Sequence, residues 1–231
     1  MLVRDWMTKD VVSVDEDTPI MKAGAVMRGK GIRFLPVTDK HGKLAGVVTD
    51  RDLKEAAPSK ATSLDIYELN YLLSNVKVSE IMTRDPVIVK PDETIEFAAA
   101  LMLDNKISGL PVVDAGSKLV GVITQSDVFK TLVKITGTLV GGVQFAFHLD
   151  DRPGSLKEVA DEIRRLGGRI VSVLTHYPEN GDKFREVYLR IQHLPADQLD
   201  KMKNELGAKF RILYVVEDFA DEVKKRKKRQ V

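Results

Sequence analysis

The chain has 231 residues, 43% of them hydrophobic and 30% charged, with 16 Gly and 9 Pro, a composition that excludes collagen-like, wholly disordered and membrane-embedded classes. With no Cys it can carry no disulfide, no thiolate metal site and no cysteine nucleophile, which suits a reducing cytoplasm. The formal charge of +2 hides an uneven split: Lys224-Lys225-Arg226-Lys227-Lys228-Arg229 supplies six of the 36 basic residues, and residues 1–221 carry a net −3. A run of like charge reads first as a solvated tail. Contact with nucleic acid, an anionic membrane or an acidic partner is the alternative, but no helix-turn-helix, finger or aromatic-basic platform accompanies it, so neither nucleic acid nor membrane is an expected partner. No stretch reaches the roughly 18 apolar residues of a membrane span, and Met1-Leu-Val-Arg-Asp-Trp6 lacks the pattern of an export signal.

Sliding the chain by 75 positions exposes a duplication. Met7-Thr8-Lys9-Asp10 falls on Met82-Thr83-Arg84-Asp85, Leu35-Pro36-Val37 on Leu110-Pro111-Val112, and Gly46-Val47-Val48-Thr49 on Gly121-Val122-Ile123-Thr124. Residues 6–53 and 81–128 agree at 21 of 48 positions without a gap. Each copy reads as β-α-β-β-α. In the first, Val11–Val14 is a short strand and Asp17-Thr18-Pro19 opens a helix, with the residue before the proline as cap. Ala23, Val26 and Met27 then share a face, strands at Leu35–Val37 and Leu44–Val48 flank the turn Asp39-Lys40-His41-Gly42, and Arg51 to Lys54 begin a last helix. The second copy repeats this at Val87–Val89, Ile95–Asn105, Leu110–Val113, Leu119–Ile123 and Ser126–Ile135. A unit of this size buries too little apolar surface alone, so the copies should pack about a pseudo-twofold axis. Between them, Ile66, Leu69, Leu72 and Leu73 predict a connecting helix within 61–76. The copies themselves are assigned to 1–60 and 77–136.

Gly137 to Gly142 form a linker, after which a third module spans 143–219, followed by a basic tail at 220–231. Val143, Phe145, Phe147 and Leu149 alternate with polar or small residues as a half-buried strand. Asp151-Arg152-Pro153-Gly154 is a turn, and Ser155-Leu156-Lys157-Glu158 reads as a capping box on a helix stopped by Gly167-Gly168. Strands at 169–176 and 184–191 meet through Pro178-Glu179-Asn180-Gly181. A helix from Pro195 to Leu206 ends at Gly207, and Phe210, Ile212, Tyr214 and Val216 alternate in a last strand. The order βαββαβ is that of a ferredoxin-like sandwich, making the chain α/β in the α+β sense.

Candidate chemistry lies at the end of each repeat, where Gly-h-h-Thr-x-x-Asp closes a strand and starts a helix, with Thr49 and Asp52 in one copy and Thr124 and Asp127 in the other. A first-turn Asp can accept two hydroxyl hydrogens, as a ribose diol presents, and a Thr hydroxyl with free helix-start N–H groups suits phosphate. The same pair also reads as a plain helix cap. Lys30, Arg33 and Arg51 stand opposite Asn105, Ser108 and Ser126, so cations for a phosphate chain come from the first copy and the two sites should be unequal.

These paired units resemble tandem CBS (cystathionine-β-synthase) domains, the Bateman module, over roughly residues 1–135. The resemblance implies a regulatory adenine nucleotide, namely AMP, ADP, ATP or S-adenosylmethionine, in the cleft of the pair, with Thr49, Asp52, Thr124 and Asp127 on phosphate and ribose. It further implies Thr18, Ile32, Arg33, Phe34 and Arg51 lining one pocket, and Ile107, Ser108, Gly109 and Ser126 lining the other. The third module, with Asp151-Arg152-Pro153-Gly154-Ser155-Leu156 after its first strand, resembles an ACT domain, which implies dimerisation or an amino acid held near Asp151, Arg152, Gly154 and Ser155. A tight turn without ligand is the alternative, and Asp150 and Asp151 would repel a carboxylate. The combination is similar to the family of bacterial acetoin-utilisation accessory proteins, which implies an accessory role beside a partner enzyme.

His41, His148, His176 and His193 have no metal-ligand spacing, and no phosphate-loop, dinucleotide or nucleophile-elbow motif is present. The expectation is therefore a cytoplasmic, homodimeric regulator without catalytic residues, catalytic cofactor or metal. The competing reading is a ligand-free interaction protein that docks a partner enzyme.

Overall fold

The computed structural model describes residues 1–56, 75–178 and 183–217. The helix expected near 63–73, residues 179–181 of the expected turn and the basic run at 224–229 lie outside the described residues. The chain divides into two compact units, Met1–Phe129 and Lys130–Val231.

In the first unit a 3-10 turn, Val3–Asp5, precedes β1 (Val14–Asp15), α1 (Ile20–Lys30), β2 (Phe34–Thr38), β3 (Leu44–Thr49) and α2 (Asp50–Ala56). The second copy contributes α3 (Val78–Ile81), β4 (Thr83–Arg84), α4 (Ile95–Asp104), β5 (Gly109–Val113) and β6 (Leu119–Thr124), with α5 (Gln125–Ile135) running on beyond residue 129. Strand β1 pairs parallel with β2, and the hairpins β2–β3 and β5–β6 are antiparallel in equivalent registers, Phe34 opposite Thr49 and Gly109 opposite Thr124. Asp39 Oδ1 closes the first hairpin by accepting from the backbone N–H groups of His41 and Lys43, and Asp114 does the same with Gly116 and Lys118. The first-strand expectations were too long. Val11–Val14 shrinks to Val14–Asp15, and Val87–Val89 to a single parallel bridge between Val89 and Val112, where Pro86 and Pro91 bracket the segment and withhold N–H donors.

The repeat in sequence is not the unit of packing, because the copies exchange their first segments. Val3 and Arg4 donate to the carbonyls of Glu93 and Pro91, and Ile95 donates to Met1. At the equivalent places Val78 and Ser79 donate to Thr18 and Glu16, and Ile20 donates to Val76. Thr8 then bridges Val122, as Thr83 pairs with Val47. The apolar cores follow the exchange: Val78 and Met82 complete the cluster of Ile20, Ala23, Met27, Leu35, Val37 and Val48, while Val3 completes that of Ile95, Ala98, Met102, Leu110, Val112 and Ile123. The two Met-Thr pairs and the two glycines of Gly-h-h-Thr meet here. A Cβ on Gly46 would stand 2.7 Å from the Thr83 carbonyl oxygen and 2.8 Å from Met82 Sδ, and one on Gly121 would strike Met7 Sδ. Exchange also corrects the helix starts. Neither Asp17 nor Thr18 caps α1; Pro19 occupies the cap position without a side-chain bond, because the Val76 carbonyl already takes the Ile20 N–H. In α4, Thr94 caps directly by accepting from Phe97 N.

The second unit contains β7 (Val143–Asp150), α6 (Ser155–Arg165), β8 (Ile170–His176), β9 (Phe184–Ile191), α7 (Ala196–Lys209) and β10 (Arg211–Glu217). Its antiparallel sheet has the order β10-β7-β9-β8, the ferredoxin-like topology. Phe145, Phe147, Leu189, Ile191, Ile163, Met202 and Leu206 form the fully buried centre between sheet and helices.

Four local expectations fail for identifiable reasons. Ala146, on the outward face of β7, is buried because Tyr188 and Tyr214 lie beside it in register with ring centroids 6.4 Å apart. A register shift between Ile212 and Tyr214 breaks the alternation of β10, so that Val215 joins Phe210 and Ile212 against the core while Tyr214 and Val216 face out. Gly207 does not end α7, which continues to Lys209 and closes with Phe210 N on the Leu206 carbonyl. Ser155 is no cap: Gly154, at φ +89°, holds that position, and the expected capping box is absent because Glu158 is drawn to Arg152.

Candidate functional site

Both Thr-x-x-Asp motifs fold into the same device. Asp52 Oδ2 accepts from Thr49 N at 2.7 Å and Thr49 Oγ1 at 2.8 Å; Asp127 Oδ2 accepts from Thr124 N at 3.0 Å and Thr124 Oγ1 at 2.7 Å. Each is a cap that satisfies the strand-end N–H and fixes the carboxylate on the first turn of its helix. Cap and ligand readings are therefore compatible, since one oxygen does the capping; among the described residues Asp52 Oδ1 takes no hydrogen bond. Asp50 N donates to the Arg33 carbonyl and Gln125 N to that of Ser108, which ties each helix start to the residue just before the adjoining hairpin.

Around these caps the two copies meet at Phe34. Its equivalent in the second copy is Gly109, and a Cβ placed on Gly109 would touch the Phe34 ring at 3.4 Å and Thr124 Cγ2 at 3.5 Å. The ring thus occupies the room that the missing side chain leaves, and Thr49 and Thr124 are the register partners of the two residues. At the far end of the hairpins, Lys43 and Lys118 form a bridge through equivalent positions, with Leu44 N on the Ser117 carbonyl and Leu119 N on that of Gly42.

The remaining expected residues divide. Ile32 and Ile107 are half-buried against their cores, and Ile107 also receives Gln125 Nε2 on its carbonyl. Thr18 is buried where the second copy's segment crosses it. Arg33, Ser108 and Ser126 are exposed. Arg51 turns outward, 84% exposed, with its Nε on Glu55 Oε1 at 2.7 Å, so a phosphate would have to compete with Glu55 for it.

In the second unit the expected amino-acid site is arranged differently from its sequence pattern. Arg152 forms a two-pronged bond with Glu158 at 2.8 and 2.7 Å, which raises the guanidinium pKa and holds the Glu158 carboxyl below its ordinary range. Asp151 is exposed, and its backbone N–H donates to the Lys183 carbonyl at 2.7 Å. Ser155 is buried and accepts from Arg185 Nη2 at 3.1 Å, while Arg185 Nη1 donates to the Tyr177 hydroxyl. Sequence reasoning missed Arg185, whose alternation in β9 marks it only as an inward-facing position. Of the four expected residues, Gly154 alone borders a groove of about 520 Å³ between α6 and the edge strand β8, lined by Leu156, Lys157, Ala160, Arg164, Ile170 and Val173. Among the described residues no cluster of His, Asp or Glu could hold a metal ion, and no helix is long and apolar enough to cross a membrane.

Comparison with known proteins identifies the family of the first part of the chain. The CBS domain model matches residues 3–59 and 78–134. A CBS domain-containing protein of Dictyostelium discoideum is 34% identical over 135 residues, 58% of this chain and 93% of the relative. Among solved structures, a CBS-pair protein of Arabidopsis thaliana in complex with AMP is 34% identical, with 58% of this chain and 97% of that one aligned at a TM-score of 0.49. A putative acetoin utilization protein from Vibrio cholerae is 30% identical, with 58% and 91% aligned, also at 0.49. The matched stretches contain both Thr-x-x-Asp caps and both exchanged segments, and the chain belongs to the CBS-domain family.

Proposed function

We propose that this chain is a regulatory protein that senses an adenine nucleotide through the paired caps of its CBS units. The observation that carries the reading is the duplicated Asp, fixed by Thr through one oxygen at the start of a helix, beside the Phe34–Gly109 contact. A carboxylate held in this way is preorganised to accept ribose hydroxyls without reordering the helix start. The exposed Arg33 is the cation best suited to reach a phosphate, whereas Arg51 must first leave Glu55.

The ferredoxin-like unit acts in this reading as an ACT-like partner module, dimerising or taking an amino acid. The apolar floor of the α6–β8 groove favours an aliphatic side chain, while Lys157 and Arg164 on its rim are both paired with Asp161, so a ligand carboxylate would have to compete with Asp161 for them. Leu132, Val133 and Ile135 on α5, with Leu139 and Val140 after it, are exposed, which favours a homodimer or a docked partner enzyme. The role is regulatory and cytoplasmic rather than catalytic.

Titration calorimetry of the full chain with AMP, ADP, ATP and S-adenosylmethionine tests the nucleotide reading. Heat with at least one is expected, weakened unequally by Asp52→Ala and Asp127→Ala; no heat at millimolar concentration would favour the ligand-free docking protein. Leucine and related amino acids, titrated separately, test the groove.

A further inference from the structure

The Phe34–Gly109 contact breaks the symmetry of the two caps. The hairpins β2–β3 and β5–β6 share one register, so Phe34 opposite Thr49 and Gly109 opposite Thr124 are equivalent positions. The Phe34 ring reaches into the second copy, where a Cβ on Gly109 would stand 3.4 Å from it and 3.5 Å from Thr124 Cγ2. Space beside Thr124 is therefore taken by the ring. The equivalent space beside Thr49 would have to be filled from residue 109, and glycine has no side chain to fill it. The neighbouring residues divide in the same direction. Gln125 lays its side-chain amide back on the Ile107 carbonyl at 3.2 Å, holding the start of α5 against the chain before β5. Asp50, its equivalent in the first copy, turns instead to Lys54 at 2.6 Å.

Charge follows the room. Arg33, beside Phe34, is exposed and forms no ion pair among the described residues, whereas the uncharged Ser108 stands at its place in the second copy. Asp52 keeps Oδ1 unbonded among the described residues. A cation, an unused carboxylate oxygen and unfilled space thus fall on one cap, while an aromatic ring and a serine fall on the other. An anionic group drawn from water toward Ser108 and Ser126 would gain no cation in return, and burying a charge without a partner is costly.

We propose that Phe34 determines occupancy: its ring closes the Thr124–Asp127 side of the pair, so that each chain takes one adenine nucleotide, with the ribose on Asp52 and the anionic end toward Arg33. The inference rests on the nucleotide-sensing reading and adds to it the site and the number. Titration of the full chain with AMP, ADP, ATP and S-adenosylmethionine in turn should give, for each that binds, one molecule per chain. Asp52→Ala should weaken that binding by about tenfold or more, and Asp127→Ala by about twofold or less. Phe34→Gly, which makes the two positions alike, should add a second binding event, and Asp127→Ala placed in the same chain should remove it. Phe34→Ala supplies the same comparison if Phe34→Gly does not fold, and the two Asp variants decide the site without either. Two equivalent sites in the unmodified chain, a single site that Asp127→Ala weakens more than Asp52→Ala, or a folded Phe34 variant that still takes one nucleotide overturns the inference and leaves the sensing reading standing. No heat with any of the four overturns both.

Discussion

In the first unit each apolar cluster stays incomplete until a segment of the other copy closes it, Val78 and Met82 on one side and Val3 on the other. The second unit assembles a single cluster between one sheet and two helices, and it ties those helices at their rim with charge: Glu162 on α6 accepts from Arg165 and from Lys209 of α7, each at 2.6 Å, and Arg165 reaches on to Glu205 of α7. The difference teaches that the first unit's stability belongs to a pair of copies, whereas the second unit's belongs to a layer with ionic stays. Damage should therefore cross between copies in the first unit, and in the second it should follow the pH at which Glu162 loses its charge.

The sharpest way to break this contrast is at the exchanged glycines. Gly46→Ala should cost about 3 kcal/mol, because its new Cβ meets the Thr83 backbone carbonyl as well as Met82, while Gly121→Ala should cost about 1 kcal/mol, because it meets only the flexible Met7 side chain. Urea unfolding gives both values, and equal losses would show that the two crossings are more alike than their contacts indicate. Next in size, Val3→Ala should remove about 2 kcal/mol. Its faster amide exchange should appear in β5 and β6 of the second copy, with Val78→Ala doing the converse in β2 and β3. Exchange confined to the mutated copy would contradict the crossed cores.

A smaller effect is expected at the caps. Asp127→Ala should cost about 1 kcal/mol of stability in the absence of ligand, measured by thermal melting, in addition to any loss of nucleotide affinity. The smallest is ionic and is expected at Glu162 of the second unit. Bonds from Arg165 and Lys209 lower the Glu162 pKa from 4.5 to about 2. A carboxyl with a depressed folded pKa contributes stability above its unfolded value, and that contribution fades as pH falls from about 4.5 toward 2. Glu162→Gln should therefore lower the melting temperature at pH 7 and make it fall less steeply below pH 4.5 than in the unmodified chain, with salt reducing the difference.

Much of this was legible in the residues. The 75-residue offset put Thr49 with Asp52 and Thr124 with Asp127 in one register, and the hairpins, most helices and the βαββαβ order came from alternation, periodicity and turn residues. What escaped notice was non-local. Met-Thr and Gly-h-h-Thr were visible as landmarks, but nothing in a linear pattern says that Met7 lies on Gly121 and Met82 on Gly46, since contacts more than 30 residues apart carry no periodicity. Pro19 could replace a cap only because the Val76 carbonyl arrives from elsewhere. Ser155 lost its expected partner because Arg152, in the preceding turn, competes for Glu158 better than a backbone N–H does. Arg185 gave no signal, because a strand pattern records which face a residue occupies and not what waits for it there.

The crossed segments also constrain the order in which the chain can mature as it leaves the ribosome. Val3 finds its partners only from Val89 and Glu93 onward and Thr8 only at Val122, so the segment holding Val3 and Met7 waits until these residues have been synthesised before its cover exists. The first repeat is equally unable to finish until Val78 and Met82 have followed it. Nascent chains of this protein cannot close repeat by repeat. They must carry exposed apolar arms through most of translation, a high-contact-order route that is slow and open to pairing with a neighbouring nascent copy.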